Sequence, residues 1–384
     1  MKANNVQPLL LLVKPRPVII PPQNPGDTLS TKDSIKINIT VKSEFPVSRV
    51  NFTYRKPTDS TALFSKDMPL GGPYTGTVPR NFLDEIGAEY AFYAIDSVGS
   101  KSLIAEGSLT VNHPTGVKIP YNSYGREQRN YRIIAVPLVL KYNRVDTMFH
   151  KSYGKYNDKR FRIYNYTNGS NIQFTNGLTE IKPGKGYWFI SKDSSYLPFV
   201  SGEGRTVVAR TETPFSVELI EGWNQIGNPY NMDIYWSDIL NYKKNNKNAL
   251  DGFKKWEGDW ASGEVIKKME GGFVLAKSPT TLYFPTQKRK PGNKNLRIAA
   301  FEKKVDELNW EVPFLLQSEE QTCRLAGIGM DEHAKASRDD LDDLTPPRFL
   351  DYLEINFNHP EYYYPKFTKD MVRSDAEHVW EFTV

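Results

Sequence analysis

At 384 residues, 39% of them hydrophobic and 25% charged, the chain is long and apolar enough for two to four separate cores, which excludes wholesale disorder. The 22 Tyr and 20 Phe, set beside 26 Gly and 26 Pro, favour strands and turns over long helices, because aromatics suit pleated half-buried surfaces and Pro interrupts helices. The net charge of +5 is unevenly placed: acidic residues exceed basic ones from Lys294 onward, and the positive excess lies before it. Lys and Arg are scattered without a basic helix or an arginine-rich run, so no nucleic-acid partner is expected. Cys323 is the sole cysteine, which excludes an intrachain disulfide and a thiolate metal cluster.

In chain order, residues 1–27 read as a Pro-rich linker, with Pro15, Pro17, Pro21, Pro22 and Pro25 holding it extended. The apolar run Leu9 to Val13 is shorter than a signal-peptide core, so any export signal is expected outside this chain. No stretch is apolar and long enough to span a membrane. Residues 28–114 carry short period-2 strands: Ser34 to Val41, then Val50, Phe52 and Tyr54, then Tyr90, Phe92 and Ala94, closed by the turn Asp96 to Gly99. That spacing predicts a β-sandwich of immunoglobulin-like size.

Residues 115–287 contain an internal repeat. Tyr131-Arg132-Ile133-Ile134-Ala135-Val136-Pro137 matches Trp223-Asn224-Gln225-Ile226-Gly227-Asn228-Pro229. Each is followed by a helix-like patch, Arg144 to Phe149 and Tyr235 to Leu240, and then by an aromatic strand, Phe161 to Tyr164 and Phe253 to Trp256. Each closes on a glycine turn into an apolar strand, Gly184-Lys185-Gly186 before Tyr187 to Ile190, and Gly271-Gly272 before Phe273 to Ala276. One copy alone has few strands with which to bury its face, so the two are expected to pair as one pseudo-symmetric β-domain. The polar run Lys288 to Lys294 opens a third, acidic β-domain over 288–384, with strand patterning at Asp351 to Phe357 and Val379 to Val384. Ending within such a strand leads to the expectation that the native protein continues beyond Val384.

These residues carry a resemblance. Tyr54-Arg55 with Met68, Tyr74 to Pro79 and Gly87 to Gly99 look like an immunoglobulin-like module of secreted Bacteroidetes proteins. Gly222 to Pro229 with Trp236, and Gly184 to Trp188, resemble the repeats that follow such modules. Gly327 to Asp343, Pro346-Pro347, Phe357 and Trp380 to Val384 resemble the β-domain that precedes the sorting tail of type IX secretion substrates. The resemblance implies a secreted or cell-surface location and a mainly β, multi-domain fold: an immunoglobulin-like sandwich, a repeated β-domain and a further sandwich-like domain. It implies no single activity.

No Gly-x-Ser-x-Gly elbow or His-Glu-x-x-His helix is present, and Gly184-Lys185-Gly186 leads into a strand rather than the helix a phosphate loop requires. Cys323 sits in a strand-like run and reads as a small buried hydrophobe. Asp339, Asp340, Asp342 and Asp343, near Asp331 and Glu332, offer oxygen ligands for Ca²⁺ or else form a solvated acidic loop. Trp256 and Trp260, with Tyr187, Trp188 and the run Tyr362 to Tyr364, are either core or stacking platforms for sugar rings. Trp260, in a turn-rich loop, is the best candidate for exposure. The expected function is a non-catalytic surface module for adhesion, spacing or presentation, meeting an extracellular or cell-surface ligand. The alternative is a carbohydrate-binding region attached to a hydrolase.

Overall fold

A computed structural model describes residues 15–21, 34–59, 61–120, 124–192, 199–200, 203–288, 309–319, 321–335, 337–339, 341–349, 353–374 and 377–384. The protein is mainly β and divides into two compact units, one ending at Val111 and one starting at Asn112.

The first unit is built from seven strands, β1 (Val18–Ile20), β2 (Ile35–Lys42), β3 (Val47–Arg55), β4 (Phe64–Asp67), β5 (Tyr74–Val78), β6 (Gly87–Asp96) and β7 (Ala105–Thr110). They form two antiparallel sheets, ordered β1-β2-β5 and β4-β3-β6-β7. Alternation drives the layering. Ile37 and Ile39 turn inward from β2, and Val50, Phe52, Phe92 and Ala94 meet them from the other sheet in one core. The predicted turn forms because Asp96 Oδ1 accepts the amides of Val98 and Ser100 at 3.0 and 2.8 Å, while Gly99 takes a positive φ of 81°. This is an immunoglobulin-like sandwich by its strand order alone.

The second unit contains the repeat, and its strand order makes the repeat explicit. The first copy comprises β8 (Arg132–Ala135), β9 (Phe161–Thr167), β10 (Ser170–Gln173) and β11 (Gly186–Ser191), ordered β8-β11-β9-β10. The second comprises β12 (Gly222–Gly227), β13 (Lys254–Trp256), β14 (Trp260–Ser262) and β15 (Gly271–Ala276), ordered β12-β15-β13-β14. The first strand of each copy thus pairs with the last, and a short helix follows it: α1 (Val145–Met148) and α2 (Trp236–Asn241). Val145 with Met148, and Trp236 with Ile239, are buried at the helical spacing of three residues.

The two copies join through a matched pair of contacts. Ile134 bridges Glu270, and at the equivalent positions Ile226 bridges Lys185. Ala135 N donates to Met269 O at 2.7 Å, and Gly227 N donates to Gly184 O at 3.0 Å. Gly184 and Met269 occupy the same place in the two copies and both take left-handed φ, 78° and 61°. The backbones approach so closely here that a Cβ at Gly227 would lie 2.3 Å from Lys185 O. The seam therefore demands small residues, and the pairing expected from sequence is what buries the two faces.

Residues beyond 308 form a sheet of β16 (Trp310–Pro313), β17 (Gly327–Met330), β18 (Asn356–Asn358), β19 (Lys366–Val372) and β20 (Phe382–Thr383), ordered β16-β17-β19-β18-β20. Asp343–Leu344 also pairs on β19, and β17 runs parallel to β19. Its core, with Leu344, Ile355, Phe357 and Phe367, includes Leu275 of β15. The acidic region thus shares apolar packing with the second repeat copy.

Candidate functional site

The tryptophans singled out from the sequence are not on the surface. Trp256 and Trp260 are each 5% exposed, and they pack edge-on against Trp188 with ring centroids 5.8 and 5.7 Å away. Phe273 fills the space behind Trp260 at 5.6 Å. Phe349, from the acidic region, stacks flat on Trp188 at 4.6 Å and 5°, and meets Tyr131 and Tyr164 edge-on. The expected platform at Trp256 and Trp260 is corrected on this ground, since no ring face is left for a sugar. The cavity beside them, bounded by Gln128, Asp259 and Cys323, has a volume of about 20 Å³, enough for a single water.

The aspartates of the acidic loop do not converge. Asp339 Oδ2 accepts Lys335 N at 2.7 Å and its Oδ1 accepts Leu341 N at 2.7 Å. Asp342 accepts Asp339 N and Met371 N, each at 2.9 Å. Asp343 faces the other way, toward the buried Lys254 Nζ at 3.2 Å. Asp340 lies outside the described residues. The cavity beside Asp339 is lined by Lys277, His333, Lys335 and Arg338, a setting that repels a cation. Among the described residues, no group of three or more His, Cys, Asp or Glu is placed to hold a metal ion. The described carboxylates satisfy backbone amides and one lysine, so the Ca²⁺ expectation finds no donor set among the described residues. Burial raises the Asp342 carboxyl to about 6, against the two amides that favour its charge, with Asp339 and Asp370 adding like-charge repulsion.

The half-exposed aromatics gather elsewhere, in a cleft of about 330 Å³ lined by Tyr166, Trp223, Tyr364, Pro346, Pro347 and Pro365. Tyr166 is the last residue but one of β9 in the first copy, and Trp223 is the second residue of β12 in the second. Phe273, fully buried, holds both edge-on, at 5.3 and 6.4 Å. Tyr364 arrives from the acidic region against Gly222, where an added Cβ would lie 2.4 Å from its hydroxyl. That glycine also has φ at +97°, so it serves both the turn and the ring's seat. The proline wall is extended by its own chemistry, pinned where Thr345 N donates to Lys366 O at 3.0 Å. Phe349 then anchors that segment on Trp188. Arg348, Glu354 and Lys366 supply polar groups to the same cleft, with Arg348 Nη1 donating to Glu354 Oε1 at 2.5 Å. Desolvation raises the pKa of the Tyr166 and Tyr364 phenols, and the Tyr364 phenol adds to the rise at Tyr166.

Of the run Tyr362 to Tyr364, each ring does something different. Tyr362 stacks on Phe367 at 5.8 Å, Tyr363 is 85% exposed, and Tyr364 enters the cleft. Tyr187 is buried, with its hydroxyl accepting Lys182 N at 2.9 Å. Cys323 is buried, as its strand context implies. The sequence reading did not single out Tyr166 or the Pro346-Pro347 wall as lining a cleft, nor Phe349 as the cover of Trp188; only the Pro-Pro pair, which forces an extended projection, carried a local signal.

No protein-family profile and no curated protein matches the sequence. Among solved structures, the chain is similar to the FN1-FN3 domains of chicken CNTN1, with 10% identity over 71% of this chain and 99% of that one and a TM-score of 0.17. No helix among the described residues is long and apolar enough to cross a membrane.

Proposed function

We propose that the chain is a non-catalytic β-module acting at a bacterial cell surface or outside the cell, in adhesion, spacing or presentation. The location follows the resemblance to secreted Bacteroidetes proteins and type IX secretion substrates. The observation that carries a binding role is the cleft of Tyr166, Trp223 and Tyr364, where flat apolar faces and polar groups share one concave site. Sites of this make-up hold a ligand by ring contact and orient it by a few hydrogen bonds.

A glycan is the ligand this chemistry suits best, because sugar rings offer apolar C–H faces to aromatics and hydroxyls to Arg348, Glu354 and Lys366. That favours the carbohydrate-binding reading over a passive spacer. A glycan array and a cell-surface binding screen on the purified chain test it. Saturable binding to one neutral sugar class, weakened about tenfold by Tyr364→Ala, or roughly 1.4 kcal/mol, is the expected result. Binding unaffected by Tyr364→Ala overturns the assignment of the cleft, and turnover of any substrate by the chain overturns the non-catalytic reading.

A further inference from the structure

The loop joining β18 to β19 carries three consecutive tyrosines on a fixed base. His359 N donates to Pro365 O at 2.7 Å and Tyr362 N donates to His359 O at 3.0 Å, which closes the loop on itself. The rings of His359 and Tyr362 both pack on Phe367, itself buried in β19, at 4.6 and 5.8 Å. Tyr364 then enters the cleft with its hydroxyl against Gly222. The turn that carries Gly222 is fixed as well. Asn224 Nδ2 donates to Ile220 O at 2.7 Å and to Gly222 O at 2.8 Å, and its Oδ1 accepts Ile220 N at 3.1 Å.

Tyr363 is the one tyrosine of the three that the fold leaves open. Its ring is 85% exposed, with its centroid 4.9 Å from that of Tyr364 and the two planes at 87°. Tyr364 lines the cleft with Tyr166 and Trp223, and Tyr363 continues the aromatic surface past the rim. A tyrosine offers a large, rigid, amphipathic contact and loses only two side-chain torsions when a ligand orders it. Because its loop is anchored before any ligand arrives, little further ordering is needed. The cleft holds about 330 Å³, at the lower end of the roughly 300–1,000 Å³ of sites that enclose a ligand of drug size, which is the size of a disaccharide. A longer chain therefore leaves the cleft, and on the Tyr364 side the next ring it meets is Tyr363.

We infer, on the basis of the glycan reading of the cleft, that its ligand is a linear oligosaccharide of more than two residues, with Tyr363 the contact for the residue that emerges. The cleft rings hold the inner residues and Arg348, Glu354 and Lys366 orient them, while Tyr363 adds affinity that a shorter sugar does not gain. Chain length, and not sugar identity alone, is then a determinant of specificity.

The test is calorimetric titration of the full chain with the mono- to hexasaccharides of β-1,4-linked glucose, xylose, mannose and N-acetylglucosamine, and with a proline-rich peptide. One sugar series is expected to bind, with affinity still rising beyond the disaccharide. Tyr363→Ala should weaken the longer members about five- to tenfold and the disaccharide less than twofold, with an unchanged melting curve. Tyr363→Phe keeps the ring and should stay within about twofold of the unaltered chain at every length. Tyr364→Ala should weaken every length, which reports on the cleft itself. A disaccharide that binds as tightly as the longer members overturns the inference, as does a Tyr363→Ala loss that is absent or equal at all lengths. If Tyr364→Ala still weakens binding in those cases, the cleft assignment stands and only the outer contact fails. No binding in any series, or tighter binding of the peptide, overturns the inference together with the sugar assignment.

Discussion

Gly227→Ala tests the seam between the two repeat copies. An alanine Cβ there would lie 2.3 Å from Lys185 O and 2.7 Å from Ala135 Cβ, both rigid backbone or near-backbone atoms. Carbon atoms in contact prefer roughly 3.5–4.0 Å, so the copies must separate by about 1 Å. Overpacking of this kind costs about 1–3 kcal/mol. The same displacement stretches the 3.0 Å bond from Gly227 N to Gly184 O, adding about 1 kcal/mol. A loss of about 2–4 kcal/mol corresponds to a melting temperature lowered by roughly 5–15 °C in a unit of this size. Tryptophan fluorescence reads the second unit alone, because all 7 Trp lie at position 188 or later. Gly252→Ala is the control, since a Cβ there meets nothing within 4 Å. If Gly227→Ala melts within about 1 °C of Gly252→Ala, the copies are not close-packed at this strand and the pseudo-symmetric joint is misread.

Three further outcomes follow from the acidic region. Burial holds the folded Asp342 carboxyl near 6 against 3.8 in the open chain, so the folded state is the better proton binder. Its contribution to stability is full below pH 3.8 and is lost as pH rises through 6, up to about 3 kcal/mol; Asp342→Asn should flatten that part of the pH–stability curve, and an unchanged slope would refute the assignment. Asp343→Asn leaves the buried Lys254 ammonium without its carboxylate and should cost about 1–3 kcal/mol in urea unfolding, reduced from a fully buried pair because Asp343 is a third exposed. Millimolar Ca²⁺ should move the melting temperature by less than about 1 °C; a rise that grows with Ca²⁺ concentration would show a donor set that the carboxylate geometry does not provide.

Much of the fold was legible because strand signals are local. Alternation in Ser34 to Val41 marks one buried face wherever the strand is placed, and β2 buries Ile37 and Ile39 accordingly. The match between Tyr131 to Pro137 and Trp223 to Pro229 became two sheets of the same strand order, since each copy repeats the same local instructions. The site was far less legible. An aromatic on a strand has the same sequence signature whether its ring is covered or open, and the ring of Trp188 is covered by Phe349, 161 positions away, together with Trp256 and Trp260.

What the sequence determined by itself was therefore the β class, the immunoglobulin-like first unit and the repeat, each readable within a window of a few residues. Tertiary structure alone decided that Trp256 and Trp260 are core, that the aspartates turn to amides and Lys254, and that Tyr166, Trp223 and Tyr364 share a cleft. Exposure and convergence are properties of what packs against a residue. They depend on partners far apart in the chain, which no local pattern encodes.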